Sequence, residues 1–342
     1  LSPECLSVLR KKMITGLIRG KQFHKWRLQG KYWKVILDGT GLFYFKEKHC
    51  GNCLCTVRTG EDGKKTKLYY HKVLEAKIVL SENVVLSLGT EFIENEKEDV
   101  SKQDCEINAA KRLLKKIKKD YPRLPICIQG DALYATEPFM KLCSKTYHWM
   151  YLFTQKDTRQ KKLDEGFEWI KSGEDAVRQV GLCKEKGTGF FANHVEEVAG
   201  KKETMNVFEY EYEMKDKEGN KQTVCFQWVT NLELTKRNLE EMIFAGRGRW
   251  KIENEGFNNQ KNGIYRIEHL NSKNSNAMKN HYLLTQISDI LMQLYLAWNP
   301  YIKELKQTIK NTSSWLLQSF QGLPVTDEDV SYTLRYTTVY LE

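Results

Sequence analysis

The sequence lacks any uninterrupted apolar run of the roughly 18 residues that a membrane-spanning helix needs. Its most apolar stretch, residues 282–298, is broken by Thr285, Gln286, Ser288, Asp289 and Gln293, so no membrane partner is expected. The opening LSPECLSVLRKK contains no signal-peptide core. A chain that starts with Leu reads as a fragment of a longer one. Nine cysteines, an odd number scattered over 342 residues, fit reduced thiols in a cytosol better than a disulfide framework. Internal repeats and low-complexity segments are missing, and Gly187-Thr188-Gly189 is too short for a phosphate-binding loop.

What is present is the composition of a folded protein. A 41% apolar fraction with 29% charged residues is enough to build a sizeable core, and it excludes a disordered chain, a collagen-like repeat and a small disulfide scaffold. A length of 342 residues suggests two structural units, or one catalytic domain with a large insertion. The 54 basic and 44 acidic side chains leave a net charge of +10. That excess favours a polyanionic partner, nucleic acid first and an anionic membrane surface second.

Along the chain, residues 31–46 read as two apolar runs around an Asp-Gly-Thr-Gly turn, which predicts a hairpin. Strands are expected over 67–80 and 83–88. Residues 103–120 switch to helical period, with Ala109, Leu113, Leu114 and Ile117 inward and Pro122 as the stop. The run KRLLKKIKK at 111–119 holds six basic residues of nine and reads as a solvated helix face. A short buried strand at 124–129, a helix at 137–145 and a strand at 148–153 follow. From 155 to 235 charged loops alternate with β signals, and Phe208, Tyr210 and Tyr212 mark a half-buried strand. An antiparallel unit packed beside the main sheet is expected there. Residues 235–261 return to helix, and 278–320 read as two helices broken at Asn299-Pro300.

Three acidic residues stand out by position. Asp38 and Asp131 each follow an apolar run, where carboxylates at strand ends meet at the mouth of a sheet. Glu253 lies four residues after Arg249, on one helical face. Together they compose an all-oxygen site suited to hard Mg²⁺ or Mn²⁺, and two such ions align an attacking oxygen with a phosphodiester. An Asp before Gly also forms turns, and Arg249–Glu253 also reads as a surface pair.

The order of these elements resembles the RNase H-like fold: strand-hairpin-strand, helix, strand with Asp, β-rich insertion, helix with Glu. Over residues 30–300 the chain is similar to DDE transposases of bacterial insertion sequences, in the branch with a β-stranded insertion before the catalytic glutamate. Its sharpest likeness is Arg249-Trp250-Lys251-Ile252-Glu253, which resembles the family's Y-x2-R-x3-E-x6-K signature. The resemblance implies an α/β fold, an RNase H-like mixed sheet flanked by helices. It divides the chain into an N-terminal remnant (1–25), a core's first part (26–154), the insertion (155–235) and a core's second part with C-terminal helices (236–342). It further implies a catalytic, metal-binding triad of Asp38, Asp131 and Glu253 holding two Mg²⁺ or Mn²⁺ ions. DNA contacts would come from Arg249, Trp250 and Lys261. The activity implied is cleavage at transposon ends and strand transfer into target DNA, by a homodimer bridging two duplex ends in the bacterial cytoplasm at the nucleoid. A sequence-specific DNA-binding region would precede the chain. The rival readings are an inactive DNA-binding derivative and a nuclease that cuts without joining.

The sequence departs from the signature at two positions. Gly246 stands in place of its Tyr, and Gln260 in place of its Lys, with Lys261 one step later. Lys261 fills that role only if the helix carries a one-residue irregularity around Gly256, for example a π-bulge. Glu255 is a rival carboxylate but faces about 200° away from Glu253 in a regular helix. Trp250 suits either stacking on a splayed base or interior packing. Finally, His49-Cys50-x2-Cys53-x-Cys55 has zinc-like spacing, with Cys105, Cys127 and His71 as distant ligand candidates, against reduced thiols in a turn.

Overall fold

A computed structural model describes residues 2–48, 50–60, 63–95, 102–156, 161–173, 177–195, 205–216, 218–305 and 307–336. The fold is α/β, with a mixed sheet flanked by helices. Helix α1 (Pro3–Arg19) is followed by strands β1 (Trp33–Phe45), β2 (Leu54–Thr59), β3 (Lys65–Val79) and β4 (Val85–Ile93). Helix α2 (Glu106–Asp120), strand β5 (Ile126–Gly130), helix α3 (Glu137–Lys141) and strand β6 (Met150–Thr154) come next. Helix α4 (Lys161–Ser172) leads into β7 (Val177–Leu182), β8 (Gly187–Val195), β9 (Met205–Lys215) and β10 (Lys221–Thr230). The chain closes with α5 (Leu239–Arg247), α6 (Asn259–Asn262), α7 (Ser275–Trp298), α8 (Pro300–Leu305), α9 (Ile309–Gly322) and α10 (Asp327–Tyr336).

Among the described residues the ten strands form one sheet, ordered β2-β3-β1-β5-β6-β10-β9-β8-β7, with β4 also on β3. Strands β1, β3 and β4 form an antiparallel meander; β5 joins the free edge of β1 in parallel, and β6 joins β5 in parallel. The β unit of the insertion continues this sheet, because β10 pairs antiparallel with β6 through Trp228–Thr154 to Thr230–Leu152. Phe208 and Tyr210 are buried against Trp228 and α5, which explains why that segment alternates.

One expectation is overturned. Residues 38–41 are not a turn: β1 runs straight through Asp-Gly-Thr-Gly and pairs with β3 along its whole length. The glycines serve close approach instead. A Cβ on Gly39 would overlap the Glu106 carboxylate and lie 2.9 Å from Lys72 Cε, and one on Gly41 would lie 2.7 Å from the Tyr44 hydroxyl. The connection that turns the chain is residues 46–53.

Helix α2 buries Ala109, Ala110, Leu113, Leu114 and Ile117 on one face of the sheet, as its periodicity predicts. Its basic face pairs outward: Arg112 binds Glu91 and Asp104, and Lys116 binds Glu91. Beside α2, to which its Lys11 is paired through Asp120 at 2.7 Å, α1 docks through Leu6 on Leu283 and Ile287 of α7. Arg10 of α1 and Lys77 of β3 share the charge of buried Glu75, which also accepts hydrogen bonds from Ser87 and Thr90. Lys77 lies 3.6 Å from Asp289 of α7. A buried ionic group is costly unless paired, so this network fixes where α1 and α7 sit.

Candidate functional site

Register alone brings two of the three acidic residues together. In the parallel pair β1–β5, Ile36 lies opposite Gln129. Two residues further on each strand are Asp38 and Asp131, at the point where β5 ends and the chain leaves the sheet. Side chains alternate across a strand, so Asp38 projects on the same face as Ile36. That face is covered by the segment after α5, through Ile252 and Phe257. The Asp131 carboxylate accepts the Leu133 amide at 2.8 Å, and Asp38 accepts that of Gly39 at 2.9 Å.

The electrostatics of Asp38 are those of a crowded acidic mouth. Burial pushes its carboxyl up to about 6; Arg249 opposes the rise, while Glu106 and Asp131 add to it. Glu106 opens α2 and reaches the mouth over Gly39, held by Lys72 at 2.5 Å and by the Tyr134 hydroxyl at 2.7 Å. Tyr134 itself is raised far above the usual phenol range, by burial first and then by Glu106, Asp38 and Asp131. A Cβ on Gly130 would lie 2.5 Å from its ring, so the glycine at the end of β5 is what admits it. Sequence reasoning missed Glu106, Lys72 and Tyr134. Only a Glu in the first turn of an amphipathic helix, and a Tyr three residues after Asp131, hinted at them.

Residues 247–262 hold the remaining candidates. Helix α5 ends at Arg247 with Gly248 as its cap, and Ile252 donates to the Arg249 carbonyl at 3.3 Å in a tightened turn. Ile252–Asn258 then form a π-helix, so the irregularity anticipated at Gly256 is present. Gly256 packs against buried Lys77, where a Cβ would lie 3.2 Å from Lys77 Cε. The consequence for the two lysine-position candidates is clear. Gln260 is fully buried and bonds to Gln286 at 3.1 Å and Asp289 at 2.8 Å. Lys261 stays at the surface, paired with Glu268 at 2.9 Å.

Arg249 stacks over the Trp250 ring at 5.1 Å. Trp250 is 51% exposed, which removes interior packing as its role. Lys34, on the same face of β1 as Asp38, is held below the usual lysine range by burial and by neighbouring Lys251. Lys251 donates to the Glu82 carbonyl. Cations therefore line this face beside the acidic mouth. Glu253 is exposed on the π-helix, and the Glu255 side chain lies outside the described ones. Among the described residues, Asp38, Asp131 and Glu253 do not meet within 4.8 Å of one another. Like charges at such a mouth repel, and the Glu253 carboxylate has water to turn to.

None of the described helices is long and apolar enough to cross a membrane. Compared with protein-family models and with curated proteins, the chain matches none.

Proposed function

We propose that this protein is a metal-dependent DNA transposase of the DDE type, built on an RNase H-like core. The observation that carries the reading is the register that sets Asp38, midway along β1, beside Asp131 at the end of the parallel strand β5, with Arg249 acting on the same carboxylate. The antiparallel meander, the helix α2 and the two parallel strands at the free edge of β1 support the core; the sheet continuing through β10 supports the stranded insertion.

The donor set suits a hard divalent cation. Asp38 and Asp131 offer oxygen only, they are half-buried, and burial, helped by repulsion from Glu106 and Asp131, keeps the Asp38 carboxyl up at about 6. A cation relieves that repulsion, so Mg²⁺ or Mn²⁺ fits these residues. When bound, a pair of such ions activates the attacking water or DNA hydroxyl and stabilises the leaving oxygen. Glu253 would complete the set from the π-helix once the cations neutralise the mouth. Arg249, Lys251 and Lys261 hold phosphates, a guanidinium being shaped for bidentate contact. Exposed Trp250 stacks on a splayed base. The reading carries with it a homodimer bridging two duplex ends in the bacterial cytoplasm.

The deciding experiment incubates the protein with Mg²⁺ or Mn²⁺ and a plasmid carrying the repeats that flank its own reading frame. Cleavage at the repeats followed by joining of a 3′-OH end to a second duplex is the expected outcome, and Asp38→Ala abolishes both. Cleavage without joining would make it a nuclease. DNA binding without either would make it an inactive derivative.

A further inference from the structure

Five residues along β1 from Asp38, about 16 Å at the rise of a strand, the fold assembles a second set of ligand-type side chains with different chemistry. Cys50 and Cys53 sit in the connection between β1 and β2, and His71 lies on β3 opposite Phe43 of β1. Cys50 Sγ is 3.5 Å from Cys53 Sγ and 3.3 Å from His71 Nε2, while Cys53 Sγ is 3.4 Å from the same nitrogen. Among the described residues these three form the one group of His, Cys, Asp and Glu whose ligand atoms all lie within 4.8 Å of one another.

The spacing matches an ion's demands. A tetrahedral centre with bonds of about 2.3 Å to sulfur and about 2.0–2.1 Å to nitrogen holds its ligands about 3.5–3.8 Å apart. The surroundings also suit one. Cys53 and His71 are buried, and the Cys50 amide donates to Cys53 Sγ at 3.3 Å, a contact that supports a thiolate. The connection is tied down independently: Asn95, just beyond β4, donates to the Cys53 carbonyl at 2.9 Å, and Asn52 donates to the Asn95 carbonyl at 2.9 Å. His71 packs edge-on against Phe43, which orients its ring. Cys55, by contrast, points along β2, where its sulfur approaches the Thr56 carbonyl, and His49 lies outside the described residues.

We propose that Cys50, Cys53 and His71 hold a structural Zn²⁺ ion that fastens the 46–53 connection to β3. Two thiolates and an imidazole are a zinc donor set rather than a magnesium one, so this site is distinct from the acidic mouth and does not depend on the transposase reading. Its role follows from its place. Among its described residues the connection between β1 and β2 has no buried apolar side chain beyond the cysteines, and a metal closes it onto the sheet.

The test uses the whole chain, produced with added zinc and purified without chelator. Elemental analysis is expected to find about one zinc per chain. Cys53→Ser and His71→Ala are expected to lose it, and Cys55→Ser and Cys105→Ser to retain it. Should the first two variants not fold, wild-type protein stripped of metal and titrated with Co²⁺ under reducing conditions still decides. A thiolate-to-metal charge-transfer band with the visible d–d absorption of tetrahedral cobalt supports the site. Zinc-free protein that develops no such spectrum would overturn it, as would a Cys50–Cys53 disulfide found by thiol titration.

Discussion

At one end of the β1–β3 pair, Cys50, Cys53 and His71 have their ligand atoms 3.3–3.5 Å apart. Midway along β1, where β5 ends beside it, Asp38 and Asp131 sit half-buried side by side, while Glu253 lies out on a π-helix facing solvent. Neutral thiols and a neutral imidazole tolerate close packing in a core, so a soft-metal site can be complete before its ion arrives. Carboxylates at a mouth cannot: each added charge raises the cost of the next. The first arrangement suits a fastening that never opens. The second suits a site that assembles when a cation and a polyanion enter together, and it keeps the reacting end of the sheet open.

The largest effect expected is at the mouth. Asp38→Ala and Asp131→Ala should each lower DNA cleavage and joining by at least about 100-fold, the scale on which even outer-shell partners of a metal matter. DNA retention in gel shift should stay near wild type, because phosphate contacts come from Lys and Arg. Wild-type cleavage by either variant would show that the mouth is not the reacting end.

Packing at the two sites sharpens the contrast. Gly39→Ala pushes a methyl into the Glu106–Lys72 pair and should cost about 1–3 kcal/mol in denaturant unfolding. Gly51, in the cysteine connection, has nothing within 4 Å of its would-be Cβ, so Gly51→Ala should stay within about 0.5 kcal/mol.

The pH dependence of stability carries a definite sign. With Asp38 raised to about 6, the folded state holds that proton more tightly than the unfolded chain, whose aspartates titrate near 3.9. The stability gained by keeping it protonated is present in full below pH ~4 and is lost as pH rises through about 6. Asp38→Asn should therefore stabilise the protein at pH 7.5, by at most about 3 kcal/mol and less where solvent screens the carboxylate. The gain should vanish at pH ~4. A gain that persists there would assign it to packing rather than charge.

The smallest effects concern the neighbours. Glu106→Gln should lower the Asp38 pKa and Arg249→Gln should raise it, since the first repels its anion and the second attracts it. Carbon-13 titration of the Asp38 carboxyl reads both. Opposite signs would mean that the two groups reach Asp38 only through structural rearrangement.

Much of the architecture is legible from residue order. The period of Ala109, Leu113, Leu114 and Ile117 reports α2, the apolar runs report β3 to β6, and the alternation at Phe208 and Tyr210 reports β9. The one-residue offset between Gln260 and Lys261 anticipates the π-helix around Gly256. The candidate site is legible in part: Asp38 and Asp131 through their places after apolar runs, and Trp250 and Arg249 through their spacing from Glu253. Helix α1 is not, because it carries no strong apolar stripe and is held by α7 and by the hydrogen bonds of Arg10 to Ser87 and Thr90.

By itself the sequence determined that segments such as α2, β3 to β6 and β9 are helix or strand and which faces they bury, since periodicity depends only on neighbours along the chain. Tertiary structure decided everything that depends on what lies across from a residue. Asp-Gly-Thr-Gly is a turn by composition and a strand by pairing, because Glu106 and Lys72 fill the space its glycines leave. Cys50-x2-Cys53 is a pair of thiols until β3 brings His71 opposite Phe43 and within 3.4 Å of both sulfurs. Register between distant strands is set by the whole sheet, and no local pattern records it.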